Sequence, residues 1–291
     1  MTFARRVIAT TLTLGSGSFG TDGSNTLKVS GLRTQVHVDK VVGPGMSLLT
    51  MRIHGMRQDD MNQISALNQG AEQQKQNTVL VEAGDEGNTL STVFQGQILV
   101  AQQNLNGAPD VSMVITGAAG QIAAVQTTSP ISYPGSANAA DIMATIAAKA
   151  GWLFENNGVS VQLATPYYFG SPRDQARACA EAGQFFWMVD DGNGAHPQTL
   201  AIWPKNGYRL GAVPIISKAT GMIGYPDYST SQNGLKIRTL FNPNILNGGL
   251  VKIESDLLVA NGTWRSFEIS HTLDSETPNG QWMTEFSTST L

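Results

Sequence analysis

Residues 234–284 read GLKIRTLFNPNILNGGLVKIESDLLVANGTWRSFEISHTLDSETPNGQWMT, a succession of short strands and turns. Leu235, Ile237 and Thr239 alternate with Lys236, Arg238 and Leu240, the period of two that marks a half-buried strand. Asn242-Pro243-Asn244 and Asn247-Gly248-Gly249 interrupt it with residues suited to turns and to positive φ. Val251, Ile253 and Ser255 resume the alternation, and Asn261-Gly262 predicts a tight hairpin. In the returning strand Arg265, Phe267, Ile269 and His271 are expected on one face, with Trp264, Ser266 and Glu268 on the other. Almost nothing in the segment offers chemistry. A chain whose best-specified stretch is bare β-architecture is expected to be a structural or binding part rather than an enzyme.

Outward from this block, residues 1–128 also read mainly as β, with strands expected at residues 6–14, 27–38, 47–54, 77–83, 92–102 and 110–115. Residues 7–14 follow Arg5-Arg6 in the manner of a signal peptide, but the run is short and broken by Thr10, Thr11 and Thr13, so a first strand is the better reading. Gly84-Asp85-Glu86-Gly87-Asn88 is a hairpin tip. Residues 59–69 form an amphipathic helix, capped by Asp59 or Asp60, with Met61, Ile64 and Leu67 along one face. Composition changes at residue 129. Thr127-Thr128-Ser129-Pro130 and Tyr133-Pro134-Gly135-Ser136 make a linker, and residues 139–150 a helix closed by Gly151. Ser171-Pro172 with Asp174 opens a second helix, which ends at Gly183. Residues 185–190 and 199–204 pair as a hairpin around Asp191-Gly192-Asn193-Gly194. The expected organisation is a first β-barrel domain at 1–128, a small α/β domain at 129–220 and a second β-barrel domain at 221–291. The class is mainly β (α+β), with two antiparallel β-barrels and a small inserted α/β domain.

The 291 residues are enough for two or three domains with real cores. Basic and acidic residues number 8 and 9 in residues 1–128, 6 and 6 in 129–220, and 4 and 7 in 221–291. No segment is a basic patch, which argues against a protein that grips nucleic acid through its phosphates. Cys179, the only cysteine, leaves no intrachain disulfide and no cysteine-based metal site. It reads as a small apolar residue on an alanine-rich helix face, a setting without the features that lower a thiol pKa. No run approaches the roughly 18–20 apolar residues of a membrane span.

Asp190-Asp191-Gly192-Asn193-Gly194 hints at a calcium loop but lacks regularly spaced oxygen ligands and a downstream bidentate acid, so it reads as a turn. His37, His54, His196 and His271 fall on separate elements without ligand spacing. Glu254 with Asp256, or Glu268 with Asp274, are the carboxylate pairs a glycosidase would need, yet both lie in exposed phase. Gly15-Ser16-Gly17 and Gly117-Ala118-Ala119-Gly120 lack the Lys-Ser/Thr of a phosphate loop. Trp152, Trp187, Trp203, Trp264 and Trp282 read as core or interface anchors ahead of a sugar-stacking platform. No catalytic, cofactor-binding or metal site is predicted.

The C-terminal block also carries a resemblance. Leu240-Phe241-Asn242-Pro243, Gly248-Gly249, Val251, Ser255, Asn261-Gly262, Trp264, His271, Leu273 and Asn279-Gly280-Gln281-Trp282 with Thr284 resemble, in that order, the C-terminal part of baseplate hub proteins of contractile-tailed bacteriophages. Arg52-Ile53-His54-Gly55-Met56 followed by Met61-Asn62-Gln63-Ile64-Ser65 is similar to the same family near its N-terminus. The resemblance implies two tail-tube-like barrels in one chain, with Phe241, Asn242, Pro243, Asn261, Gly262, Trp264, His271 and Trp282 as the structural motif of the second. It implies a non-enzymatic virion subunit without cofactor, assembled in the host cytoplasm. Three chains would form a homotrimeric ring, its six barrels matching the six-fold tail tube and its three-fold symmetry the central spike. The implied partners are the spike protein, the tail tube or tube-initiator protein, baseplate wedge proteins and the tape measure protein, with DNA only in transit. A neutral-to-acidic lumen passes DNA without holding it. Glu82, Asp85 and Glu86, with the acid excess of residues 221–291, are the expected lumen-facing charge. A tail-associated cell-wall-degrading enzyme and a carbohydrate-binding adhesin stand as alternatives.

Overall fold

The computed structural model describes residues 4–20, 23–66, 76–121, 125–191, 198–229 and 233–290. Its first seven strands are β1 (Arg6–Thr13), β2 (Thr26–Ser30), β3 (Thr34–Lys40), β4 (Leu48–His54), β5 (Thr78–Asp85), β6 (Ser91–Asn104) and β7 (Ser112–Ala118). They pair antiparallel in the order β2-β1-β5-β6-β7-β4-β3. This sheet has to curl. Three residues join β2 to β3, a link of at most about 14 Å, whereas a flat sheet would hold its first and seventh strands about 29 Å apart. The alternation supplies the inside of the roll: Ile8, Leu12, Val36, Val38, Met51, Val79 and Ile115 meet in one dry core.

Two local readings change here. The single strand expected over 27–38 is two, because Gly31 takes φ +70° and turns the chain between β2 and β3. The helix α1 (Gln58–Ile64) is entered from Arg57 with no side-chain cap. Asp59 and Asp60 lie inside its first turn, where their charge favours the positive end of the helix dipole rather than capping it. Met61 and Ile64 are buried as expected; residues 67–69 of the expected helix lie outside the described residues.

The middle of the chain holds a small core of its own. Its elements are β8 (Ile131–Ser132), β9 (Ser136–Asn138), α2 (Ala139–Ala150), β10 (Leu153–Asn156), β11 (Gln162–Ala164), β12 (Tyr167–Tyr168), α3 (Pro172–Gly183), β13 (Phe185–Asp190) and β14 (Thr199–Pro204). β13 and β14 form the expected antiparallel pair, and β10 joins β14 in parallel. Most of the tip of that hairpin, residues 192–197 with His196, lies outside the described residues. α2 is capped by Asn138, whose side chain accepts from Ala140 N, and closed by Gly151 in the left-handed region. α3 carries the reciprocal Ser171–Asp174 capping box. The helix ends at Gly183 as expected, but the left-handed residue that follows is Gln184, and the Phe185 ring lies 2.5 Å from where a Gly183 Cβ would sit. The expected linker is pinned down, for Gln175 Nε2 donates to Thr128 Oγ1 at 3.1 Å and to Ser129 O at 3.4 Å.

The last six strands are β15 (Ile215–Ser217), β16 (Asp227–Ser229), β17 (Gly234–Leu240), β18 (Leu250–Glu254), β19 (Gly262–Ser275) and β20 (Trp282–Ser289). They continue the first sheet rather than starting another. β19 pairs with β3, and the order runs on as β19-β20-β17-β16. β18 lies beside the opening half of β19, and β15 pairs with β18 in parallel. Ile216, Leu235, Ile237, Val251, Ile253, Ile269 and Phe286 form the second core. The protein is mainly β, built on one large, predominantly antiparallel sheet.

Candidate functional site

β19 is the element on which both barrels depend. Its first residues pair with β18, from Leu250↔Arg265 to Ile253↔Gly262, and its last seven pair with β3, from Ile269↔Lys40 to Ser275↔Thr34. The switch happens at a bulge. The ladder to β20 steps from Phe267↔Ser287 directly to Ile269↔Phe286, and Glu268 stands out with φ +48°. The extra residue overturns the face assignment read from alternation. Trp264, Ser266, Ile269, His271 and Leu273 share a face with their cross-strand neighbours Phe286 and Thr284, while Arg265 and Phe267 point the other way.

The inward face brings together Phe241, Asn242, His271 and Trp282 of the expected motif. Phe241 and Trp282 pack with the first core and Trp264 with the second, so these residues do not mark the second core alone. The Phe241 ring stands edge-on to His271 at 5.4 Å and to Trp282 at 5.8 Å. Thr284 Oγ1 lies 2.9 Å from His271 Nδ1 and accepts from Asn242 N at 3.1 Å, so one hydroxyl ties the Asn242-Pro243 turn to the strand pair. Leu273 and Trp282 belong to the core of the first barrel, with Phe241 packed against it, and the Arg6 guanidinium lies 5.5 Å over the Trp282 ring. Burial, with Lys40 and His37 adding repulsion, pushes the His271 pKa down to about 3. It is a neutral packing residue.

Asn261-Gly262 does not make the tight hairpin. Asn261 keeps φ −69° and Gly262 is already in the ladder opposite Ile253. The Asn261 side chain accepts from Ser255 N at 2.6 Å and closes a longer loop instead, while Trp264 Nε1 donates to Ala260 O at 3.0 Å. Leu258–Ala260 take up part of the intervening chain as a short helical turn, with Ala260 buried. Gly248 behaves as a positive-φ glycine, at +77°, and the Trp203 ring sits 2.4 Å from where its Cβ would be.

The outward face of β19 holds the middle of the chain. The Arg265 guanidinium lies against both the Phe186 and Phe267 rings, at 5.2 and 5.1 Å, and donates to Lys205 O at 2.7 Å and Gly207 O at 2.6 Å. Arg173 donates to Pro44 O at 2.9 Å and to Gly45 O. Near them, Arg209 grips Glu155 through two bonds of 2.9 and 2.8 Å and Asp190 at 2.6 Å. Lys40, at the end of β3, lies 3.2 Å from Asp191. Burial works against the Asp190 carboxylate, but Arg209 and Lys40 outweigh it and hold its pKa low; at Asp191 burial wins and raises it. Sequence reasoning missed this network because its members are scattered over five elements and follow no period. Arg265 was legible only through the bulge.

The remaining candidates are placed apart. His37 meets Thr272 and Asp39, and His54 meets Arg33 and Asp110, each on its own strand. Cys179 is fully buried, and desolvation raises its thiol pKa to about 12. Trp152, Trp187, Trp203 and Trp282 are buried and Trp264 is half-buried, which leaves no exposed tryptophan for sugar stacking. Glu254 is engaged by Lys252 at 2.7 Å, and Asp274 accepts from Gln281 N at 2.9 Å. Among the described residues no group of three His, Cys, Asp or Glu comes together to hold a metal ion. Glu82 is half-buried, Asp85 and Glu86 are exposed, and Glu86 lies 3.2 Å from Arg5.

The comparisons agree with this architecture. The tail protein of the Shewanella oneidensis prophage MuSo2 is similar over 99% of this chain and 97% of its own, with TM-score 0.60 and 10% identity. The tail protein of Neisseria meningitidis MC58 is similar over 97% and 96%, with TM-score 0.60 and 11% identity. The E. coli c3393 protein, a type VI secretion component described as similar to T4 bacteriophage tail proteins gp27 and gp5, covers 89% of this chain over 73% of its own, with TM-score 0.61 and 10% identity. No curated protein matches the chain. The model of the family described as baseplate hub gp41 matches residues 7–279, nearly the whole length, and the chain therefore belongs to that family of structural phage tail baseplate proteins.

Proposed function

We propose that the chain assembles into a homotrimeric ring that joins the six-fold tail tube to the three-fold central spike and lets DNA through. The observation that carries this reading is β19: its opening residues pair with β18 and its last seven with β3, so a single strand is shared by the two β-rich ends of the chain. Three such chains supply six barrels to the tube while keeping three-fold symmetry toward the spike. Surface composition supports assembly. Of nineteen large hydrophobic residues that stay exposed among the described residues, eleven lie between Tyr208 and Val259. This part of the chain therefore supplies most of the apolar side chains that a contact between subunits could cover. The tube or tube-initiator protein, the wedge proteins and the tape measure protein are the further partners, and the role is structural rather than enzymatic. Mass measurement and electron microscopy of the purified chain, alone and produced together with its spike, test this. A ring of three with a central hole is expected; a monomer under both conditions, or a disc without a hole, overturns it.

A further inference from the structure

Two features of the surface fit each other and cannot meet within one molecule. The loop between β18 and β19 ends in a bare apolar tip, with Leu257 41%, Leu258 79% and Val259 85% exposed. Elsewhere the chain opens a groove of about 390 Å³ floored by Val41, Val42, Ala180, Phe185, Trp187 and Phe267, where the middle of the chain meets both barrels. The tip precedes Gly262 and the groove includes Phe267, so five residues of extended strand, about 17 Å, keep them apart in one chain. Their charges also answer one another. Exposed Asp256 adjoins the tip, with Lys218 across the neighbouring recess. The groove rim presents Lys205, whose ammonium bonds the neutral Gln184 amide, and exposed Glu268, alongside Arg177 and Glu181.

We infer that the groove receives the Leu257–Val259 tip of a second copy of this chain, with Asp256 facing Lys205 and Lys218 facing Glu268. The two patches differ, so the contact is head-to-tail, and repetition closes a ring when the rotation allows. The inference deepens the ring reading and rests on it.

Because Cys179 is buried, added surface cysteines report cleanly. Leu258→Cys and Val42→Cys are made as separate variants, mixed, and treated with a short bis-maleimide. A covalent dimer from the mixture, absent from either variant alone, is expected. The double variant L258D/V259D is expected to self-associate at least tenfold more weakly than the native chain. If the native chain self-associates but the mixture does not cross-link and L258D/V259D associates as well as native, this contact is wrong and the ring stands. If the native chain is monomeric at every concentration, alone and with its spike, both fall.

Discussion

His271 shows how a single residue ties the fold to pH. Its pKa of about 3 in the folded chain, against 6.5 ordinarily, means that the native state refuses a proton the unfolded chain accepts. Its contribution is complete above about pH 6.5 and is lost as pH falls toward about 3, at up to about 1.4 kcal/mol per unit. His271→Asn keeps a polar partner for Thr284 but cannot titrate. It should be less stable near neutrality and show a flatter decline between about pH 6.5 and pH 4 by urea denaturation; parallel declines would place the acid sensitivity elsewhere. Two glycines separate conformation from packing. Gly87 has φ +84° and open space around it, so Gly87→Ala should cost about 1–2 kcal/mol. Gly248 has φ +77° and the Trp203 ring in the way, so Gly248→Ala should cost about 3–5 kcal/mol. Equal losses in the two variants would mean that Trp203 moves aside freely.

At the scale of elements, β19 decides how much of the molecule a reader of the sequence can reach. Many strands are legible from alternation bounded by Gly, Asn or Pro, as at β1, β4, β5 and β17. By contrast β8 to β12, β15 and β16, of two to four residues, are too short to show a period. The helices α2 and α3 are legible too, with Gly151, Ser171 and Asp174 at their ends. The face of Arg265 is not, because nothing in the letters Phe267-Glu268-Ile269 announces an extra residue. A bulge is chosen by the pairing of both neighbours, β20 and β3, and those are remote in sequence. Asn261-Gly262 fails in the same way: a local turn preference loses to burial of Ala260 and to the Trp264 indole bond. The bulge makes its own prediction. Glu268 sits at φ +48°, a region that costs a side-chain-bearing residue about 1–2 kcal/mol and glycine little. Glu268→Gly should therefore be stabilising by about 0.5–1 kcal/mol, and Glu268→Val, branched at Cβ, destabilising. A loss of stability in the glycine variant would show that the side chain, not the backbone, holds the bulge.

At the scale of the whole molecule, charge is used in two opposite ways. Inside, Lys40 and Asp191 have side chains 15% and 2% exposed, and they join the first barrel to the middle of the chain. Removing one partner of such a pair strands the other, at about 3–5 kcal/mol, while replacing both with apolar groups restores much of the loss. Lys40→Met should be markedly less stable than K40M/D191L in thermal denaturation, and the reverse order would remove the pair from the account of how the parts are held. Outside, acids are proposed to keep the channel slippery. Glu82, Asp85 and Glu86 lie at or beside the β5–β6 tip, and Glu86 meets Arg5 through an exposed pair worth little to stability. Converting all three to lysine is expected to leave tails able to assemble, which electron microscopy of the mutant tails checks first. If the tip faces the lumen, each new ammonium adds a phosphate contact whose affinity comes from released counterions and falls with salt. Ejection from tails carrying E82K/D85K/E86K should then be slower than from native tails at low salt and recover as salt rises. Normal ejection from normally assembled tails would move the lumen to another face of the ring.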